Sequence, residues 1–121
     1  MILVDTSVWI DHLRRNDLEL AGLLDAGRVL THPFIIGEIA LGHLRQPARI
    51  LRDLGDLPKA AVATDAEVLT FISAQSLAGT GIGYVDAHIL AAVRLTPGAA
   101  LWTRDRRLSN LAKDLGYAAL H

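Results

Sequence analysis

Ile2-Leu3-Val4-Asp5-Thr6-Ser7-Val8-Trp9-Ile10 opens the chain with three apolar residues, an acid, two hydroxyls and a second apolar run. A short apolar run stopped by an acid predicts a buried strand, and the hydroxyls that follow predict caps on a helix running to about Leu13. The same pattern returns near the other end. Ala99-Ala100-Leu101-Trp102 reads as a strand ended by Thr103, and Asp105 to Leu115 reads as a helix with Gly116 as its C-cap. Between them, Asn16 with Glu19 resembles a capping box for a helix to about Ala26, stopped by Gly27. Arg28-Val29-Leu30-Thr31 reads as a second strand, and Pro33 opens a helix to about Leu44. A short helix is expected over residues 47–54, closed by the turn from Gly55 to Pro58, and Ala60-Ala61-Val62 as a further short strand. Thr64-Asp65-Ala66-Glu67 is a capping box for a helix to about Leu77, and Tyr84 to Leu95 has helical periodicity ended by Thr96-Pro97-Gly98. Tyr117-Ala118-Ala119 is expected as an edge strand. Short continuous apolar strands alternating with helices predict an α/β fold, a parallel sheet covered on both faces.

The chain has 121 residues and a mass of 13.1 kDa, and is expected to form one domain over residues 1–121. Hydrophobic residues make up 51% and charged residues 21%, with mean hydropathy +0.32, which excludes a disordered chain and leaves apolar surface for a partner. With no cysteine, thiolate nucleophiles, iron–sulfur clusters and Cys-ligated zinc are excluded. No basic start and long apolar run mark a signal peptide, and no apolar run reaches a membrane span, so a cytoplasmic protein is expected. Twelve Lys and Arg against 13 Asp and Glu give a formal charge of -1, too little to hold nucleic acid by bulk charge. Setting several acids aside in one site would leave the bases in excess elsewhere. The visible basic groups are Arg104, Arg106 and Arg107 with Lys113, and Arg45, Arg49 and Arg52 at helical spacing, each of which also suits a solvated helix face.

Ligands of open parallel sheets bind at the carboxyl ends of the strands, where Asp5 and Asp105 stand. Helix N-capping is the ordinary role for both. Glu38 shares a helical face with Phe34 and Leu41, and Asp86 with Ile89, Leu90 and Val93, so both are expected to be half-buried. Such acids need a cation, and an ion pair with Arg94 or Arg104 is the alternative to a metal. If Asp5, Glu38, Asp86 and Asp105 converge, repulsion should raise at least one pKa, and the all-oxygen set suits Mg²⁺ with Mn²⁺ able to substitute. Such an ion binds phosphate oxygens and activates water for in-line attack. Thr6, Ser7 and Thr103 could orient the acids or hold waters on the ion. The other acids read as caps, turns or polar faces. His88 reads as packing or surface, the glycines of residues 79–83 as a close backbone approach, and Trp9 and Trp102 as core. Two other classes fit an acidic α/β site. One is a Mg²⁺-dependent phosphoryl-transfer protein, which would need a strand-end lysine; the other is a catalytically silent nucleic-acid or protein binding module.

The chain resembles PIN-domain ribonucleases, and among them the VapC toxins of toxin–antitoxin pairs. The resemblance is carried by Val4-Asp5-Thr6-Ser7-Val8-Trp9-Ile10, by Glu38 within Ile36-Gly37-Glu38-Ile39, by Gly83-Tyr84-Val85-Asp86-Ala87 and by Trp102-Thr103-Arg104-Asp105, in register over nearly the whole chain. It implies a PIN-like three-layer α/β/α sandwich with a central parallel sheet, and a metal-dependent endoribonuclease. Asp5, Glu38, Asp86 and Asp105 would be its catalytic, Mg²⁺-binding or Mn²⁺-binding acids, assisted by Thr6, Ser7 and Thr103. Arg104, Arg106 and Arg107 beside them are the expected RNA contacts. The resemblance further implies a homodimer and a cognate VapB-type antitoxin whose C-terminal segment wraps the toxin.

Overall fold

In the computed structural model, which describes residues 1–119, β1 (Ile2–Val4) is the middle strand of a parallel sheet. Residues 120 and 121 of the expected domain lie outside the described residues. β2 (Val29–Leu30) flanks β1 with Ile2 opposite Val29, and β3 (Ala100–Trp102) flanks it on the other side with Ile2 opposite Ala100 and Val4 opposite Trp102. Every β1 side chain is buried, as expected for a strand covered on both faces. The ladder runs one residue past β1, where the Asp5 N–H donates to the Trp102 carbonyl at 2.9 Å. That bond fixes the end of β1 against β3 and brings the two strand-end acids onto one rim.

Among the described residues seven helices cover the sheet: α1 (Thr6–Arg14), α2 (Leu18–Asp25), α3 (Pro33–Ala40), α4 (Pro47–Gly55), α5 (Asp65–Ala74), α6 (Tyr84–Leu95) and α7 (Arg106–Leu115). α1, α3 and α4 pack in one group, while α5 packs on α6 and α6 on β3. The result is the expected α/β sandwich around a parallel sheet. α6 is buried from Ala87 through Val93, a run that is small or aliphatic apart from His88 and lets the helix fit between sheet and α5.

Several boundaries differ from the sequence reading. Residues 60–62 form no strand: a single parallel bridge joins Thr31 to Lys59, after which the Ala61 N–H leaves the ladder for the Thr96 hydroxyl at 2.8 Å. Residues 117–119 likewise make one bridge, Leu101 to Ala118. α3 stops at Ala40 instead of near Leu44, since Leu41 is fully in water and Gly42 follows it. α5 stops at Ala74 instead of Leu77. There Ser76 takes a left-handed φ of 54° and the Leu77 N–H turns back to the Ile72 carbonyl at 3.0 Å, a Schellman closure made without glycine. α2 is capped by Asp17, whose carboxylate accepts the Leu20 N–H at 2.9 Å, in place of the Asn16 box. The capping box at Thr64 and Glu67 and the left-handed Gly116 at the end of α7 stand as read.

Candidate active site

Asp5 is 7% exposed and occupies the N-cap position of α1 through its backbone, yet its side chain caps nothing. Its Oδ2 instead accepts the Ser7 hydroxyl at 2.9 Å and the Thr103 hydroxyl at 2.8 Å. Since each hydroxyl carries one hydrogen, the 3.3 Å approach of Ser7 Oγ to Thr103 Oγ1 is proximity once both protons point at Asp5. The expected capping by Thr6 and Ser7 is therefore corrected: both lie inside α1 and serve carboxylates. Thr6 donates to Glu38 Oε1 at 2.7 Å, tying α1 to α3.

Glu38 is exposed, which overturns the expected half-burial. The inner face of α3 is Ile35 and Ile39, four residues apart, so Phe34, Glu38 and Leu41 lie on the outer side with the side chain of Glu38 reaching Thr6. Asp86 is half-buried in the first turn of α6, as read. Burial raises its carboxyl above the ordinary range, the charges of Asp5 and Asp105 push the same way and Glu38 adds to them, while the Gly83 backbone pulls it down. Four acids thus share one electrostatic neighbourhood. Asp105 does cap its helix, accepting the Leu108 N–H at 2.9 Å, while its charge still bears on Asp86.

Among the described residues none of these four acids pairs with a Lys or Arg, so the ion-pair alternative is not what the fold builds. Arg104, expected beside the acids as an RNA contact, is turned away from them. It holds Asp11 at 2.6 Å and Asp17 at 2.5 Å. Also among the described residues, no three Asp, Glu or His side chains gather tightly enough to enclose an ion as they stand.

Beside them lies a cavity of about 410 Å³ lined by Gly81, Ile82, Asp86, Asp105, Arg106, Arg107 and Asn110. Acids form one part of its wall and arginines another. The glycine loop does pass close, as read: Gly81 has φ +88° and its carbonyl accepts from Arg107 at 3.1 Å, and a Cβ there would fall 2.6 Å from the same Arg107 nitrogen.

Sequence reasoning missed a histidine cluster behind α6. His88 is buried, consistent with packing, but its Nε2 also lies 3.2 Å from Asp65 Oδ1, which accepts the Tyr84 hydroxyl at 2.9 Å. Tyr84 and His88 are four residues apart on α6, the one spacing that could have revealed it. His32, fully buried, caps α3 by accepting the Phe34 N–H on Nδ1 at 3.1 Å.

The PIN domain family model matches residues 2–114. Two relatives from Mycobacterium tuberculosis, each called Ribonuclease VapC32, from strains CDC 1551 / Oshkosh and ATCC 25618 / H37Rv, are 46% identical to the chain over 118 residues, covering 98% of this chain and 95% of their own length. With the strand order, the rim of acids and these matches agreeing, the chain belongs to the PIN-domain family, in its VapC ribonuclease branch.

Proposed function

We propose that the protein is a Mg²⁺-dependent endoribonuclease, with Mn²⁺ able to substitute, and the toxin of a type II toxin–antitoxin pair. The observation that carries this reading is the set of four carboxylates sharing one electrostatic neighbourhood at the rim of the sheet, Asp5 and Glu38 held by hydroxyls, with none of the four in an ion pair with Lys or Arg among the described residues. An acid set of this kind fits a hard divalent ion, because oxygen donors and uncompensated negative charge are what such an ion requires. Asp5, Glu38, Asp86 and Asp105 would hold it. When bound, the ion supplies charge neutralisation at the phosphodiester and lowers the pKa of an attacking water.

The chain's own residues do the rest. Ser7 and Thr103 occupy Asp5 Oδ2, leaving Oδ1 as the oxygen free for a ligand, and Thr6 does the same for Glu38 by occupying Oε1. Fixing these carboxylates before substrate arrives removes reorganisation from the reaction. Arg106 and Arg107, on the wall of the adjoining cavity, offer cations to the RNA backbone. A cognate VapB-type antitoxin and a homodimer belong to the same proposal, supported by Ile10 and Leu41, apolar side chains left in water on α1 and just after α3. No described helix is long and apolar enough to cross a membrane.

The test is cleavage of a total-RNA pool by antitoxin-free protein with Mg²⁺, with Mn²⁺ and with chelator, beside Asp86→Asn. Discrete fragments that need the metal and vanish in the variant are expected. Equal cleavage in chelator, or by Asp86→Asn, would sink the acidic-site mechanism.

A further inference from the structure

Three features of the β3–α7 connection coincide at Arg104. Its backbone N–H donates to Ser7 Oγ at 3.0 Å, and the Ser7 hydroxyl in turn donates to Asp5 Oδ2. Its guanidinium spans two carboxylates, Asp11 through Nη1 and Asp17 through Nη2. Its cation lies 5.5 Å from the centre of the Trp102 ring. Ser7 and Asp11 are four residues apart on α1, so the arginine lies along one face of that helix, backbone on one turn and side chain on the next. Ser7 and Asp11 on α1 and Asp17 at the start of α2 are thus joined to the β3–α7 connection through one residue.

The connection needs an anchor. Residues 103–105 have no helix or strand pairing of their own, yet they deliver Thr103 to Asp5, an N–H to Ser7 and Asp105 to the rim. The Asp17 carboxyl is held below its ordinary range by the Leu20 N–H and then by Arg104, and the Arg104 side chain is only 37% exposed. Swinging the guanidinium to a phosphate would break two charge-assisted bonds and leave Asp11 and Asp17 facing each other unpaired.

We infer that Arg104 is a positioning residue for the proposed ribonuclease site, clamping the β3–α7 connection to α1 and α2 so that Ser7 and Thr103 hold Asp5. It does not act as a phosphate contact. This inference rests on the ribonuclease reading, and wild-type cleavage checks that reading first: an inactive wild type overturns the activity, whereas the clamp is judged from its variants.

The experiment compares wild type, Arg104→Ala, Arg104→Lys, the pair Asp11→Asn with Asp17→Asn, and the triple combination. It measures the cleavage rate at saturating RNA, and RNA affinity over a salt series in chelator. Arg104→Ala and the paired Asn variant should each lower the saturated rate by about 10- to 100-fold, with no further loss in the triple variant. RNA affinity and its salt dependence should stay at the wild-type values. Lysine, a point charge that cannot span both carboxylates, should restore the rate only in part. A phosphate contact gives the opposite pattern: Arg104→Ala weakens binding and lowers the salt slope by about one, lysine restores binding, and the paired Asn variant binds RNA more tightly because the arginine is freed. That result overturns the inference. Asp11→Asn alone, which keeps the Asp17 pair, preserves the comparison if Arg104→Ala folds poorly.

Discussion

A buried histidine is an unusual N-cap, and at His32 it sets a pH dependence. Accepting the Phe34 N–H on Nδ1 places the ring proton on Nε2, which has no partner among the described residues, so the native state holds the imidazole neutral. Burial, with the nearby His88 adding to it, pushes the pKa from 6.5 down to about 4. The unfolded chain therefore binds the proton first. The stability this group contributes is complete above pH 6.5 and is lost as pH falls toward about 4. His32→Asn keeps an oxygen for the Phe34 N–H, so the cap survives, at a cost of roughly 1–2 kcal/mol for the volume removed. Denaturant melts of the two proteins from pH 7 to pH 4 should show a shallower fall in the variant; parallel curves would reject the assignment. Single residues were also where the sequence misled. Thr6 and Ser7 have the residue types and position of caps, and only the fold shows that Glu38 and Asp5 compete for their hydroxyls and win. Glu38 shows the same limit, since either side of α3 offered apolar neighbours and the choice of inner face is made by tertiary packing.

At the scale of elements, long periodic segments and the Thr64–Glu67 capping box were legible because their causes are local, whereas the Asn16 box gave way to Asp17 one residue on. Helices α5, α6 and α7 begin where Thr64, Gly83 and Asp105 place them. Two short apolar stretches, residues 60–62 and 117–119, were not, because a strand exists only if a partner supplies the ladder. Lys59 makes a single bridge just before the first, and Ala118 makes a single bridge within the second. Asp105 shows that two readings of one residue can hold together: it caps α7 and also belongs to the acidic rim. The two roles separate by substitution. Asp105→Asn retains an oxygen for the Leu108 N–H and should melt within about 0.5 kcal/mol of wild type, whereas Asp105→Ala should lose about 1 kcal/mol. Both remove the charge, so both should lose the stabilisation by Mn²⁺ that the proposed metal site predicts for the wild type. A normal Mn²⁺ response in Asp105→Asn would confine this residue to capping.

For the whole molecule the question is how a chain of net charge -1 holds a polyanion. Asp5, Asp86 and Asp105 stand out in the sequence by their places at a strand end or helix start, and Glu38 only by apolar neighbours that prove to lie on the outer side of α3, while the fate of the cations was not legible, because arginine reaches across the fold. Arg104 is consumed by Asp11 and Asp17, and Arg49 lies 3.8 Å from Asp53 within α4. Arg106 and Arg107 face the cavity that Asp86 and Asp105 also line, so cations and acids meet at one place. Affinity should then come from a few local contacts and not from a diffuse field. Arg106→Ala should weaken RNA binding and lower the slope of log affinity against log salt by about one. Arg107→Ala should do the same, with an added loss because its guanidinium also pins the Gly81 carbonyl. Arg49→Ala, on α4 and already beside Asp53, should leave both quantities unchanged. A titration from low to physiological salt with a short RNA in chelator reads all three. If Arg49→Ala lowers the slope as much as Arg106→Ala, the RNA path crosses α4 and the cavity beside the acids is not where the backbone is held.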